Sequence, residues 1–236
     1  MAVPALELKD IVAGYGRIEV LHGVSLSVPA GTVYALLGPN GAGKTTTMMV
    51  ASGKITPASG CVHVAGSHVN KVAPDALAKA GVCRIPEGRG VFPNLTVAEN
   101  LRMFTYVSPY STAEVQERAY ARFPRLGERR NQLAGTMSGG EQQMLAMSRA
   151  LVSDPGVLLL DEISMGLAPK IVAELYEVVA QLAQEGISIL LVEQFARTAL
   201  AVSDYAAVMT GGRIAMVGQP ADVADFVNEA YLGGAA

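Results

Sequence analysis

The sequence is poor in aromatic residues, contains no tryptophan, and has two cysteines in 236 residues. Cys61 and Cys83 lack the C-x-x-C spacing of zinc and redox motifs. We interpret both as reduced core thiols of a cytoplasmic protein, where disulfides are rare. Half of the residues are hydrophobic, so the material for a core is ample. The length favours one elaborated α/β domain over residues 1–236.

A strong charge of either sign is also missing. The formal net charge is −3, and the longest basic run is one arginine pair, which argues against a dedicated nucleic-acid surface. The longest buried-looking apolar runs, near 157–160 and 187–192, are far shorter than the roughly 20 residues of a membrane-spanning helix. Charged residues interrupt the first ten positions, so we expect no signal peptide. Any membrane role must therefore be exercised through a partner.

One stretch, residues 33–46 (VYALLGPNGAGKTT), carries the strongest chemical signal. Its apolar start is typical of a strand buried on both faces, and it leads into the phosphate-binding pattern G-x-x-x-x-G-K-[ST]. Glycines let backbone N–H groups surround a polyphosphate, and the following helix points its positive end at the same anion. Lys44 adds charge for the outer phosphates of ATP, and the Thr45 hydroxyl is predicted to bind Mg²⁺. The predicted nucleotide-binding residues of this loop are Gly38, Pro39, Asn40, Gly41, Ala42, Gly43, Lys44, Thr45 and Thr46.

A second apolar run, Val157–Leu160, ends in the carboxylates Asp161 and Glu162. Beside a phosphate loop, this pattern is typical of a Walker B strand. We predict that Asp161 binds Mg²⁺ through its water shell and that Glu162 orients and polarises the attacking water.

Strands and helices alternate along much of the chain. Residues 5–29 predict two strands around a tip that carries Tyr15, whose ring either stacks on a nucleobase or caps the surface. Residues 81–85 predict a central buried strand, and Glu87 follows its carboxyl end, where α/β sheets place ligands. The alternative for Glu87 is an ordinary solvated loop acid. The alternation predicts a mainly parallel sheet covered by helices on both faces, with an antiparallel N-terminal part.

Residues 94–152 have a helical texture, and we predict an inserted helical lobe rather than a separate domain. Three capping boxes mark helix starts: Thr96 with Glu99, Ser111 with Glu114, and Ser138 with Glu141. The last one opens with Gly139 and Gly140, which cost roughly 1 kcal/mol each against alanine in a helix. Such a helix start makes sense if an anion approaches its amides closely.

The order of these motifs resembles the nucleotide-binding subunit of an ABC transporter over essentially the whole chain. The segment Ser138–Gln143 (SGGEQQ) is similar to the ABC signature. The resemblance implies a P-loop ATPase fold in which two subunits meet head to tail. Each ATP would lie between the phosphate loop of one subunit and Ser138, Gly139, Gly140 and Glu141 of the other. Tyr15 falls where the family stacks an aromatic ring on adenine.

Three longer segments, at 86–101, 123–146 and 164–169, resemble LivF-type subunits of branched-chain amino acid importers, with urea and short-chain amide importers as close relatives. This implies an ATP-hydrolysing subunit that works at the inner face of the cell membrane. Its implied partners are transmembrane permease subunits, a second ATPase subunit (a copy or a paralogue) and, indirectly, a periplasmic binding protein. The loop 87–93 and the helical lobe would transmit the cycle to the permease.

The chain departs from the general family pattern at four positions. Glu87 replaces the usual glutamine, and its carboxylate is still expected to reach Mg²⁺. Ile163 and Ala168 replace a proline and an aspartate. Gln194 stands in place of the switch histidine, and its amide can donate to the γ-phosphate but cannot become cationic. We predict that Gln194 positions the phosphate without proton transfer.

Other assignments share the same motifs. A lipopolysaccharide-exporter ATPase has the same chemistry and a different permease, and a soluble ABC ATPase of cofactor assembly needs no permease. A degenerate, regulatory nucleotide binder would bind ATP without turnover. A DNA-repair ABC ATPase is excluded because the stretch between Gly43 and Ser138 has no room for a long coiled coil.

Overall fold

Two β-sheets form the framework of the chain, whose structure, a computed structural model, describes residues 3–88, 90–103, 105 and 110–232. The first sheet is antiparallel, with the order β2-β1-β4-β5. Its strands are β1 (Leu6–Tyr15), β2 (Ile18–Val28), β4 (Ser59–Val64) and β5 (Ser67–His68). The predicted N-terminal strand pair is confirmed as the hairpin β1–β2, with Tyr15 at its tip.

The second sheet is mainly parallel and carries the two apolar runs that end in chemical motifs. Its strands are β3 (Val33–Leu37), β6 (Val82–Ile85), β7 (Val157–Asp161), β8 (Ser188–Glu193), β9 (Tyr205–Thr210) and β10 (Arg213–Gly218). The order is β10-β9-β3-β8-β7-β6, and β10 runs antiparallel to β9. The prediction of a central strand at 81–85 is wrong in one respect, because β6 lies at the edge of this sheet.

Helices cover both sheets and fill the lobe. They are α1 (Lys44–Ala51), α2 (Pro74–Lys79), α3 (Val97–Arg102), α4 (Thr112–Arg122), α5 (Pro124–Glu128), α6 (Gly139–Leu151), α7 (Pro169–Gln184), α8 (Ala196–Leu200) and α9 (Pro220–Leu232). Within the described residues, no helix is both long and apolar enough to cross a membrane.

The three predicted capping boxes are all formed, at the starts of α3, α4 and α6. In each box the Ser or Thr oxygen accepts from the backbone three residues later, and the glutamate accepts from the cap backbone. Parts of the predicted lobe and coupling loop, residues 89, 104 and 106–109, lie outside the described residues.

The parallel sheet separates two hydrophobic cores, as the alternation of β3 illustrates. Val33, Ala35 and Leu37 face the core that the lobe and α7 share. Tyr34 and Leu36 face the other core, which the antiparallel sheet and α1 close. A strand that is buried on both faces has no polar side, which explains its unbroken apolar sequence. The two cysteines are free, but they are half-buried rather than enclosed in either core.

Candidate functional site

The site lies where three parallel strands end together. In the register of the sheet, Leu37 of β3 pairs with Glu193 of β8, and Asp161 of β7 pairs with Val192. The chain therefore leaves the sheet at one edge for the phosphate loop, Glu162 and the segment after β8, as ligand sites of open α/β sheets require. The backbone N–H of Glu162 donates to the carbonyl of Val192 at 2.9 Å, which ties two of these exits together.

The phosphate loop owes its glycines to packing as well as to ligand access. Gly43 caps α1 in a left-handed conformation (φ 107°), and a Cβ there would lie 2.8 Å from Leu21 and 3.0 Å from Met209. A Cβ on Gly38 would collide with the carbonyl of Met209, whereas one on Gly41 would meet nothing within 4 Å. The missing side chains of Gly38 and Gly43 therefore also admit β9 and β2, and the role of all three glycines in surrounding the anion stays our prediction.

Lys44, the charged residue of the loop, is buried, with 4% of the residue exposed. Its ammonium donates to the carbonyl oxygens of Gly38 at 2.9 Å and Pro39 at 3.1 Å. It also lies 3.5 Å from a carboxylate oxygen of Glu162. The structure thus brings together two of the predicted catalytic side chains, which are 118 positions apart in the sequence (162 minus 44).

Tyr15 lies beside the first turn of α1. Its hydroxyl is 3.4 Å from the Thr46 hydroxyl and donates to the Met49 sulfur at 3.7 Å. The residue is 49% exposed. A half-exposed aromatic ring next to the phosphate loop is suited to stacking on a base, so stacking stays our prediction.

Asp161 is held by a partner that our sequence analysis missed. Its side chain is buried, and its Oδ2 accepts a hydrogen bond of 2.7 Å from Nη2 of Arg84 on β6. Its other oxygen, Oδ1, is buried without a hydrogen-bond partner in the part of the chain that the structure describes. The sequence did contain a signal for this ion pair. Arg84 lies within a strand predicted to be buried, and a buried arginine requires a counter-ion.

The donor set at this point fits Mg²⁺. The described residues contain no cluster of three or more histidine, cysteine or acidic side chains that could hold a metal. Mg²⁺, however, is ordinarily held by one or two carboxylates together with phosphate oxygens and water. The orphaned Oδ1 of Asp161 and the half-buried Thr45 supply oxygens of the required kind.

Glu162 follows directly and adopts a left-handed backbone conformation with φ 49°. A non-glycine residue in this region carries conformational strain, which functional sites often retain. The turn sends the Glu162 side chain towards Lys44 while Asp161 points towards Arg84. The adjacent carboxylates Asp161 and Glu162 therefore have different cationic partners.

A second buried carboxylate, Glu193, braces the same edge. It is 1% exposed and accepts hydrogen bonds from the backbone N–H and hydroxyl of Ser164, at 3.1 and 2.8 Å, and from the Tyr176 hydroxyl at 2.8 Å. Burial raises the pKa of Glu193, these donors oppose that rise, and the nearby charge of Glu162 adds to it. No spacing in the sequence pointed to this network, since Tyr176 comes from the middle of α7.

The signature-like helix start is well formed. The Ser138 backbone N–H donates to Glu141 at 2.9 Å, and Nε of Arg129 approaches the other oxygen of Glu141 at 2.7 Å. A Cβ on Gly140 would collide with Ile171 of α7, so packing explains this glycine. Gly140 therefore does not by itself indicate an anion. Gly139, the first residue of α6, is half-exposed.

Two predicted site residues stand apart from this arrangement. Glu87, in the loop after β6, and Gln194, after β8, are both exposed, and neither makes a hydrogen bond or ion pair with any described residue. Gln194 nevertheless follows the strand that pairs with β3 beside the phosphate loop. Their predicted contacts, to Mg²⁺ and to the γ-phosphate, are with groups of the bound nucleotide.

Residues 21–164 match the family described as ABC transporter. The chain is 45% identical over 232 residues to the high-affinity branched-chain amino acid transport ATP-binding protein BraG of Pseudomonas aeruginosa, covering 97% of this chain and 100% of that protein. It is 38% identical to a probable branched-chain amino acid transport ATP-binding protein LivF of Archaeoglobus fulgidus, covering 87% and 88%.

Similarity extends to an exporter and to solved structures. A Nod factor export ATP-binding protein I of Cupriavidus pinatubonensis is 36% identical, with 95% of this chain and 70% of that protein covered. A crystal structure of the ADP conformation of an ATP-binding cassette of an ABC transporter matches with a TM-score of 0.85 and 28% identity, covering 98% and 99% of the two chains.

Proposed function

The chain belongs to the ABC transporter family as an ATP-hydrolysing subunit, and we propose that it powers the import of branched-chain amino acids. The observation that carries the substrate is the 45% identity to BraG, which runs the full length of that protein. The exporter relative is less similar and is matched over a smaller share of its length. We therefore place the chain with importers.

In the proposed cycle, ATP enters at the phosphate loop and Lys44 exchanges acceptors. Its ammonium now rests on two backbone carbonyls and near Glu162, and phosphate oxygens are stronger acceptors for a buried cation. The backbone N–H groups at the start of α1 complete the anion site. Tyr15 stacks on the adenine, and its open face beside Thr46 supports that role.

Thr45 and Asp161 would hold Mg²⁺, which neutralises charge on the phosphates when bound. The carboxylate of Glu87, in the loop after β6, would also reach this ion. Glu162 orients the attacking water. Its position near Lys44, with 12% of its side chain exposed, supports this assignment. With ATP on the phosphate loop, this carboxylate would lie near the phosphates and could hold a water molecule for the attack.

A second subunit completes the site. Ser138, Gly139, Gly140 and Glu141 are proposed to face the ATP that lies on the phosphate loop of the partner. The half-exposed backbone at Gly139, on the first turn of a 13-residue helix, supports an anion contact there. Closure and reopening of this dimer would be passed to permease subunits at the inner face of the membrane through the loop 87–93 and the lobe.

Gln194 provides a direct test of the site. Replacing it with alanine removes an amide donor and is expected to lower kcat about tenfold, the value of one hydrogen bond to a charged group. The ATP dissociation constant should change less than twofold, because the phosphate loop is intact. The matched control is Gln184→Ala, at the exposed end of α7. Turnover of Gln194→Ala equal to that of the control would remove this residue from the site.

The substrate is tested by uptake. A strain without this chain should lose uptake of radiolabelled leucine, isoleucine and valine and regain it with the wild-type chain. Urea and acetamide uptake, measured in the same cells, serves as the comparison. Loss of urea or acetamide uptake alone would show that the chain serves a urea or amide importer instead. Unchanged uptake of every compound would contradict an import function.

A further inference from the structure

The ion pair between Arg84 and Asp161 is placed where the proposed function puts Mg²⁺. Residues on one face of a strand alternate, and Val157 and Leu159 of β7 face the core that α1 closes. Asp161 continues that face. Arg84 pairs with Leu159 across the β6–β7 ladder, which makes Arg84 and Asp161 diagonal neighbours on it. The pair therefore lies on the side of the sheet that carries α1 and Thr45.

The pair is buried but incompletely satisfied. The Arg84 side chain is 8% exposed and that of Asp161 is 0% exposed. Arg84 reaches the carboxylate through Nη2, while its Nε is buried without a partner within the described residues. Arginine commonly binds a carboxylate through two parallel hydrogen bonds. Arg84 makes one such bond to Asp161, so its interaction is weaker than a bidentate one. Oδ1 of Asp161 is likewise buried and has no hydrogen-bond partner among the described residues.

A buried carboxylate needs a compensating positive charge. In the arrangement observed, Arg84 is the cation that compensates Asp161. Asp161 would also be compensated by a Mg²⁺ ion that it holds, and the guanidinium of Arg84 would then lie near a dication. Either cation alone, the Arg84 guanidinium or Mg²⁺, stabilises the Asp161 carboxylate. The two cations repel each other when both are bound to it.

We propose that Arg84 is the resident counter-ion of Asp161 and competes with Mg²⁺ for it, so that Arg84 sets the Mg²⁺ concentration at which nucleotide binds. This inference rests on the proposed function, because it takes the nucleotide site as given. Arg84 is a positioning residue in this scheme, since it acts through Asp161. The alternative is that Arg84 only orients Asp161 for the metal. The two schemes predict opposite effects of removing the guanidinium.

The test measures the Mg²⁺ dependence of ATP binding without turnover. A fluorescent ATP analogue is titrated at a series of Mg²⁺ concentrations with wild type, Arg84→Gln and Arg84→Lys. For Arg84→Gln we expect the Mg²⁺ midpoint to fall about tenfold, within the range usual for coupled sites. Because the carboxylate loses its counter-ion, this variant should also unfold at a lower temperature in EDTA and gain more from added Mg²⁺ and nucleotide than wild type does.

The control is Arg122→Gln, which removes an ion pair of the same 2.7 Å length with Glu185 on the surface and should leave the Mg²⁺ midpoint unchanged. If Arg84→Gln is too unstable to purify, Arg84→Met, which also removes the charge, must show a shift in the same direction, whereas Arg84→Lys keeps the charge and should shift the midpoint less. A midpoint that is unchanged or higher in the neutral Arg84 variants overturns the proposal. Failure of the wild type to bind ATP with Mg²⁺ would instead contradict the proposed function.

Discussion

Replacing Glu162 with glutamine is expected to abolish ATP hydrolysis and to leave ATP binding intact. Glutamine keeps the size of the side chain and its position near Lys44. Its amide carries no negative charge, however, and cannot polarise water as a carboxylate does. Loss of a positioned general base lowers rates by about a hundredfold to ten-thousandfold. The measurement is phosphate release under saturating ATP, alongside nucleotide retained by the purified protein.

The same variant reports on the dimer. If hydrolysis is the step that reopens the two subunits, Glu162→Gln with ATP and Mg²⁺ should elute as a dimer that holds nucleotide, whereas the wild type should return to the monomer. Glu177→Gln, an exposed carboxylate on α7, is the matched control and should hydrolyse ATP normally. Hydrolysis that persists in Glu162→Gln would assign the reaction to another group. Absence of hydrolysis in the wild type as well would favour a regulatory nucleotide binder.

Local patterns in the sequence predicted the parts of the site that lie within one element. The apolar runs at Val33–Leu37 and Val157–Leu160 lie in fully buried strands, because a run without charged residues has no face to turn to water. The capping boxes fixed three helix starts for an equally local reason, since both partners of each box lie within one turn.

Contacts between elements were not predictable in the same way. The lateral order of parallel strands depends on how long crossovers pack, so β6 was assigned to the centre and lies at the edge. The ion pair of Arg84 and Asp161 follows from that order, as β6 pairs with β7 alone. The contact of Gly140 with Ile171 likewise depends on how α6 meets α7, which no spacing within the signature encodes.

Replacing Lys44 with methionine is expected to weaken both ATP binding and ATP hydrolysis. Methionine fills a similar volume in the enclosed site but supplies no charge, so the phosphates lose their buried cation. We expect the ATP dissociation constant to rise at least about tenfold and kcat to fall about a hundredfold or more, as for the loss of a preorganised electrostatic contact. Equilibrium binding of a fluorescent ATP analogue and phosphate release measure the two effects.

Lys54→Met is the matched control, because Lys54 is exposed just beyond the end of α1 and the same change there removes the same charge. It should bind and hydrolyse ATP as the wild type does. Thermal unfolding without nucleotide is measured for both variants as well, because Lys44→Met also removes the hydrogen bonds to Gly38 and Pro39 and the ion pair with Glu162. If Lys44→Met binds ATP as tightly as the control, the buried ammonium is not the phosphate contact. The acceptor exchange proposed for nucleotide entry would then be wrong.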